Sequence, residues 1–346
     1  MSQENNELPI RLQLRPGIQV FVVSADEIQL AAVNHSTTFT SIPVVNLVET
    51  IVDATRVPTT RSEIVELAAS KTDSEPALVQ YVIELMRKMG CLVTRSAEDD
   101  DELDALGQFH ASVGIDPDSS AGKLKAARPV VVTPTASATV LEQALVDSGI
   151  DAELIAVEAG SPCSAALDRV RAAFETCPGP LAVWDIPWRM PFARRLNEVA
   201  LERPRPVLFG VCEGAVGRLG PYVVSRDTAC LECVLTRSLT NAGENELRVI
   251  ESYRARLGDV VPQPLPGHPA FRRAMAGLFA VELSQILLFR PPTTLGGYVE
   301  YVFGGIGARR RVALRSPRCP ACHPEHPPRL AWNARFPAPL VKSGAA

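Results

Sequence analysis

Two short cysteine pairs constrain this chain most, because four thiolates at this spacing can share a single ion. Cys230 and Cys233 stand in CLEC, and Cys319 and Cys322 stand in CPAC. Two such turns can place four sulfurs around Zn²⁺ in a tetrahedron. A single CxxC could also be a thioredoxin-like redox site, but Pro320 favours a rigid turn over the helix that such a site opens. We therefore predict a structural zinc on these four cysteines, with no open position for catalysis.

The overall composition is ordinary for a soluble globular protein. The chain has 346 residues, of which 46% are hydrophobic and 21% charged, and its formal net charge is −4. This charge gives no electrostatic case for a nucleic acid or an anionic membrane as partner. The apolar stretch 278–289 is too short to span a bilayer, and MSQENNELPI is not a secretory signal. We expect a cytoplasmic protein whose eight cysteines form no disulfide scaffold.

Residues 1–95 change from strand-like to helical periodicity and predict a small winged helix-turn-helix domain. Strand-like alternation covers three segments: 18–24, 27–33 and 37–42. Helical spacing and a closing strand follow: 43–55, 59–70, 72–90 and 91–94. Such a domain could bind DNA, but it carries eight basic and eleven acidic residues. Phosphate contacts dominate affinity for DNA, so this acidic balance argues against that function.

The second half has the strand–helix alternation of an α/β domain with a mostly parallel sheet. An acidic linker with helices spans 96–128, this domain spans 129–330, and a tail spans 331–346. The predicted strands are 129–134, 152–157, 181–186, 207–211 and 216–225. The predicted helices are 138–148, 164–176, 191–202 and 269–290, with a helical stretch before 257 and a hairpin at 297–314.

Both halves resemble known families. The segments IQVFVVSADEIQLAAV, TTFTSI, SEIVELAAS and VIELMRKMGCLV resemble the PqqD-like peptide-recognition domain, a winged-helix module that binds leader peptides. The segment from WDIPWRMPFARRLNEVA to GRLGPYVV, with CLEC and SPRCPAC, resembles the ThiF-like, ubiquitin-activating-type fold. The tandem is similar to the leader-peptide-binding partner proteins of azole-forming (TOMM) YcaO cyclodehydratases, in the ocin-ThiF-like branch.

This resemblance implies a scaffold that has no catalytic residues of its own. It would bind the leader of a ribosomally synthesised precursor and present it to a separate YcaO-type, ATP-dependent cyclodehydratase. The chain ends at residue 346, so we expect that enzyme to act in trans. The sequence is also compatible with a homodimer. The alternatives are an ATP-dependent enzyme that adenylates a peptide and, third, a redox or DNA-binding regulator.

The peptide-recognition resemblance also implies a place for the leader. The third strand should lie at a sheet edge, where a peptide can add as a further strand. The expected contacts are Thr38, Phe39, Thr40, Ser41 and Ile42. On the third helix, we expect a pocket from the apolar stripe of Val79, Val82, Ile83 and Met86, part of which must face the domain core.

The sequence departs from an ATP-binding ThiF-like site in three ways. The turn TPTASAT (133–139) has no glycine, although backbone amides need one to approach phosphates closely. Only Glu158 is available as the acidic residue after the second strand. The family's Mg²⁺-binding aspartate would fall at Arg189 or Met190, with Asp185 a few residues too early. We therefore do not expect ATP as a cofactor of this chain.

Overall fold

A computed structural model of the chain divides it into two units, Met1–Lys123 and Leu124–Ala346. The boundary falls inside the segment 96–128 that the sequence predicts as linker and helices. The structure describes the following residues: 10–32, 35–95, 104–113, 115–203, 205–225, 227–240, 259–288, 292–305, 307–317 and 319–323. The predicted tail 331–346 lies outside them.

The first unit contains two small antiparallel sheets. Its strands are β1 (Arg11–Leu14), β2 (Gln19–Ser24), β3 (Glu27–Ala32), β4 (His35–Thr40), β5 (Thr59–Thr60) and β6 (Leu92–Arg95). Strands β2, β3 and β4 form a meander, and β1 lies between β5 and β6 in the second sheet. The sequence predicts β2, β3, β4 and β6, but not β1 or β5.

The first unit has four helices, and the first three of them contribute buried residues to its core. They are α1 (Ile42–Ala54), α2 (Arg61–Thr72), α3 (Pro76–Lys88) and α4 (Ala105–Ser112). Thr60 caps α2 and exchanges hydrogen bonds with Glu63, which is a capping box. Gly90 ends the α3 region with φ 71°, a conformation that favours glycine. This helical unit and its closing strand β6 give the predicted winged-helix arrangement.

The second unit is built on one seven-stranded sheet. Its strands are β7 (Val130–Pro134), β8 (Glu153–Val157), β9 (Leu181–Trp184), β10 (Val207–Glu213), β11 (Val216–Val223), β12 (Gly297–Val302) and β13 (Ala308–Val312). Their order is β13-β12-β11-β10-β9-β7-β8. The pairs among β8, β7, β9 and β10 are parallel, and the other three are antiparallel. Five strands therefore run one way and two the other, which confirms the mostly parallel sheet.

Helices cover both faces of this sheet. They are α5 (Pro117–Ala127), which crosses the unit boundary, α6 (Thr135–Asp147), α7 (Cys163–Thr176), α8 (Pro191–Glu202), α9 (Leu231–Thr240) and α10 (Pro269–Leu287). Alternate strand residues belong to opposite cores: Val183 packs with α7, α8 and α9, and Trp184 with α6 and α10. A Cβ on Gly210 would lie 2.5 Å from Phe279, so glycine lets α10 approach the sheet. None of the described helices is long and apolar enough to cross a membrane.

Candidate functional site

The four paired cysteines meet in one cluster of the second unit. Their sulfur atoms all lie within 4.8 Å of one another. The Sγ atoms of Cys230 and Cys319 are 3.5 Å apart, and those of Cys233 and Cys322 are 3.6 Å apart. Sulfurs about 2.3 Å from a tetrahedral Zn²⁺ would be about 3.8 Å apart, whereas a disulfide needs about 2.05 Å. The geometry therefore fits a metal site and not a pair of disulfides.

Helices α8 and α9 position the first pair of cysteines. Cys230 directly precedes α9 and Cys233 lies in its first turn. Glu232 forms two hydrogen bonds of 2.6 and 2.7 Å with the guanidinium of Arg194 on α8. The side-chain oxygen of Asn197, also on α8, accepts a hydrogen bond of 3.1 Å from the Leu231 N–H. These contacts fix the start of α9, and with it both sulfurs.

The second pair approaches from the turn that follows β13. The Ser316 N–H donates to the Cys233 sulfur at 3.3 Å, a contact typical of a metal-bound thiolate. The ring of His323 lies 2.6 Å from the Arg315 guanidinium, and the main-chain N–H of His323 donates to the Cys319 carbonyl. His323 therefore stabilises the turn. The other nearby histidine, His326, lies outside the described residues.

The chemistry of this cluster is that of a structural ion. Hydrogen bonds from Cys230 lower the pKa of Cys233, and the same neighbour lowers the pKa of Cys322 to about 7. Zn²⁺ would take all four sulfurs as thiolates, and three of the four cysteines are buried. Four protein ligands fill a tetrahedral shell and leave no position for a substrate or a water. The cluster can therefore hold zinc and join two distant chain segments.

Strand β4 lies at the edge of its sheet, as the sequence predicts. It pairs with β3 on one side, and among the described residues no strand pairs with its other side. The Ser41 N–H donates to the Asp26 carbonyl in the same register as the β4 ladder. Because antiparallel ladder bonds alternate, the main-chain groups of Thr38 and Thr40 point away from β3, whereas those of Phe39 point toward it. Within the described part of the chain, the outer edge thus offers N–H and C=O groups that no other strand pairs.

The side chains of the predicted peptide site divide into exposed and buried ones. Thr38, Thr40, Ser41 and Ile42 are exposed, whereas Phe39 packs in the core of the first unit. On α3, the apolar stripe is buried in the same core: Val79, Val82, Ile83 and Met86. Its exposed apolar residues are Leu78 and Tyr81. In this conformation a peptide could reach the strand edge, but could reach the α3 stripe only if the helix moved.

The structure shows where the acidic residue near the end of β9 lies. Strand β9 ends at Trp184, and Asp185 is the next residue, whereas Arg189 and Met190 lie farther along the loop that leads to α8. The apolar run continues past the strand, because Ile186 and Trp188 are also buried, and this made the strand look longer in the sequence.

Asp185 is buried and has several hydrogen-bond donors. It is 1% exposed and has a left-handed backbone with φ 58°. Ser137 in the first turn of α6 donates to it at 2.5 Å, and Arg272 on α10 lies 2.9 Å away. Burial raises the pKa of Asp185, while Ser137 and Arg272 act in the opposite direction. Ser137, Asp185 and Arg272 are far apart in the chain, so no local pattern predicts that they meet.

Comparison with solved structures supports the fold of the whole chain. The heterocyclase TruD has a TM-score of 0.68 at 20% identity, over 91% of this chain and 43% of TruD. A heterocyclase in complex with substrate and cofactor has a TM-score of 0.66 at 22% identity. The match covers 91% of this chain and 39% of the heterocyclase chain. E. coli MccB with MccA-N7isoASN gives 0.60 at 13%, over 90% and 99% of the two chains.

Sequence identities this low establish a shared fold and nothing about a shared activity. This chain spans less than half the length of TruD and nearly all of MccB. No family model and no curated protein sequence matches the chain. Together with the seven-stranded sheet and the four-cysteine cluster, the solved structures support the ThiF-like fold expected for the second unit.

Proposed function

We propose that this chain is a non-catalytic protein that binds the leader peptide of a ribosomally synthesised precursor. It would present the precursor to a separate YcaO-type cyclodehydratase that forms azoline or azole rings. The observation that carries the proposal is the open outer edge of β4. The likeness to the heterocyclase TruD over 91% of the chain supports the same class of pathway.

The chemistry of β4 suits a peptide that adds as a strand. Its exposed side chains Ser36, Thr38 and Thr40 are small, polar and uncharged, so they neither block nor repel a partner strand. Main-chain hydrogen bonds would supply affinity, and exposed apolar neighbours such as Ile42 would supply specificity. We expect affinity near micromolar, about −8 kcal/mol, with weak salt dependence because few charges are involved.

A proline scan of β4 tests this mode in the full chain. The peptide would be the leader of a short reading frame, rich in Cys, Ser and Thr, that neighbours the gene and a YcaO-type gene. Thr38→Pro removes an outward N–H and should weaken binding at least about tenfold in fluorescence anisotropy. Thr38→Val keeps that N–H and is the matched control. Normal binding by Thr38→Pro would contradict strand addition, and no binding by the wild type would contradict the proposed function.

A peptide-adenylating enzyme is the second candidate, favoured by the shared fold with E. coli MccB, whose structures include one with ATP. The discriminating measurement is peptide-dependent exchange of pyrophosphate into ATP by the purified chain. We expect none. Exchange above background would make adenylation the preferred function.

A further inference from the structure

The carboxyl ends of β7 and β9 form the place where an open α/β sheet most often binds a ligand. Strand β7 lies between β8 and β9, so the chain leaves β7 toward one side and later returns on the other. The connections diverge there and open a crevice, the topological switch point. Ser137 follows β7 and Asp185 follows β9, so both lie at this crevice.

In this chain the crevice contains an arginine of the protein itself. The Nη1 atom of Arg272 lies 2.9 Å from Asp185 Oδ2 and donates to Ser137 Oγ at 3.2 Å. Its Nη2 atom donates to the Leu265 carbonyl at 2.5 Å. The other carboxylate oxygen of Asp185 accepts from the Cys212 N–H at 3.2 Å. Both oxygens of Asp185 therefore have donors within the protein.

The residues present do not fit a magnesium nucleotide, although E. coli MccB, which shares the fold, has been solved with ATP. Helix α6 starts at Thr135 directly after β7, and its N-cap is Pro134, which has no N–H. Residues 133–139, which run from the end of β7 into α6, contain no glycine that would bring main-chain amides close to a phosphate. Asp185 is 1% exposed and already neutralised by a guanidinium, so a metal ion would have to displace Arg272.

We propose that Arg272 is a built-in cation that fills the switch point and keeps the second unit assembled without a nucleotide. The guanidinium links α10, the start of α6 and the loop after β9, which are three elements that a ligand would otherwise bridge. Its side chain is 15% exposed, so solvent weakens the pair little. This inference rests on the proposal that the chain is non-catalytic, and it does not depend on peptide binding.

Chemical rescue in the full, zinc-loaded chain tests this inference. We expect Arg272→Ala to lower the melting temperature by about 10 °C, because it leaves Asp185 buried without its counter-ion. Millimolar ethylguanidinium should restore much of that loss, since the ion can occupy the cavity and pair with Asp185. The double variant Asp185→Asn/Arg272→Ala is the control and should show no rescue. Magnesium ATP should leave the melting temperature of the wild type unchanged.

The outcomes separate this proposal from the proposed function. An ATP-dependent rise in the wild-type melting temperature, or ATP retained in equilibrium dialysis, would overturn it. Equal rescue of the single and double variants would also overturn it, because the ion would then not act through Asp185. If Arg272→Ala does not fold, Arg272→Lys should fold with an intermediate loss, and the two wild-type ATP measurements still decide. Leader binding is a separate readout and can fail without affecting any of these results.

Discussion

The two units differ in the charge at their sheet edges. In the first unit, β4 leaves a row of peptide groups at an uncharged edge. In the second unit, the edge strand β13 has three consecutive exposed arginines, and the switch point is filled by Arg272. An open, neutral edge is suited to pairing with another strand, whereas charge on an edge discourages it. This difference agrees with the proposed function, in which the first unit would bind the peptide and the second unit would support it.

Arginines also satisfy loop carbonyls within the second unit. Arg205 donates to the carbonyls of Phe174, Cys177, Pro178 and Gly179 and so closes the end of α7. On the edge strand β13, Arg310 donates to the carbonyls of two loop residues, Thr293 and Leu295. Long side chains with several donors thus replace secondary structure where the chain turns. We expect variants of these groups to change stability and not ligand binding.

Loss of the metal should have the largest effect. Cys230→Ser or Cys319→Ser should abolish the one Zn²⁺ per chain that we expect in metal analysis. Structural zinc contributes on the order of 10 kcal/mol in small modules, so the second unit should unfold at a much lower denaturant concentration. Leader binding by the first unit should remain.

The matched control is Cys177→Ser, because Cys177 is also buried but lies outside the cluster. This variant should keep its zinc. Wild-type protein that contains no zinc when freshly purified would refute the metal site. If the zinc-free variant also lost leader binding, the two units would not act separately.

Arg205→Met should have a smaller effect than loss of the metal. It removes the donor to several carbonyls and a contact over the Phe174 ring, so we expect a loss of about 2 kcal/mol in the free energy of unfolding. Arg171→Met is the control, since Arg171 forms an exposed pair with Asp168 on the same helix, and its loss should be near zero. Urea denaturation monitored by tryptophan fluorescence measures both. Equal losses would show that the carbonyl contacts contribute nothing specific.

Local patterns in the sequence predict most of the fold. Alternation and helical spacing place the strands and helices because each element is amphipathic by itself. Thr60 and Glu63 identify the start of α2 because a capping box needs only neighbouring residues. The cysteine cluster is also predictable, although its halves are far apart in the chain, because metal ligation restricts residue type and spacing so strongly.

Features that depend on packing between distant segments were not predictable. Arg272 and Asp185 meet only after the sheet forms, and no local pattern in the sequence connects them. The apolar stripe on α3, including Val79 and Ile83, has the same periodicity whether it faces a core or a ligand, and the structure buries it. Strand β1 is only four residues long and is not predicted from the sequence, since its partners β5 and β6 come from separate parts of the unit.

The smallest expected effect concerns the edge of β13. Arg309 and Arg311 are exposed there, and the guanidinium of Arg311 lies 3.5 Å from the Glu300 carboxylate. Two copies pairing edge to edge would bring these arginines together, so their repulsion should keep the second unit from self-association. Arg310 is left unchanged because it holds two loop carbonyls. The double variant Arg309→Thr/Arg311→Thr makes this edge resemble β4, and we expect its light scattering on mild heating to increase about twofold to fivefold.

Salt provides the matching test of the same repulsion. The Debye length falls from about 10 Å at 0.1 M to about 3 Å at 1 M, so high salt should raise the scattering of the wild type toward that of the double variant. The double variant should respond little, because its edge has lost two of its three charges. Arg171→Thr, which removes an exposed charge from a helix, should behave as the wild type. If all three proteins scatter equally at low salt, the arginines do not protect this edge, and the contrast between β4 and β13 rests on hydrogen bonding alone.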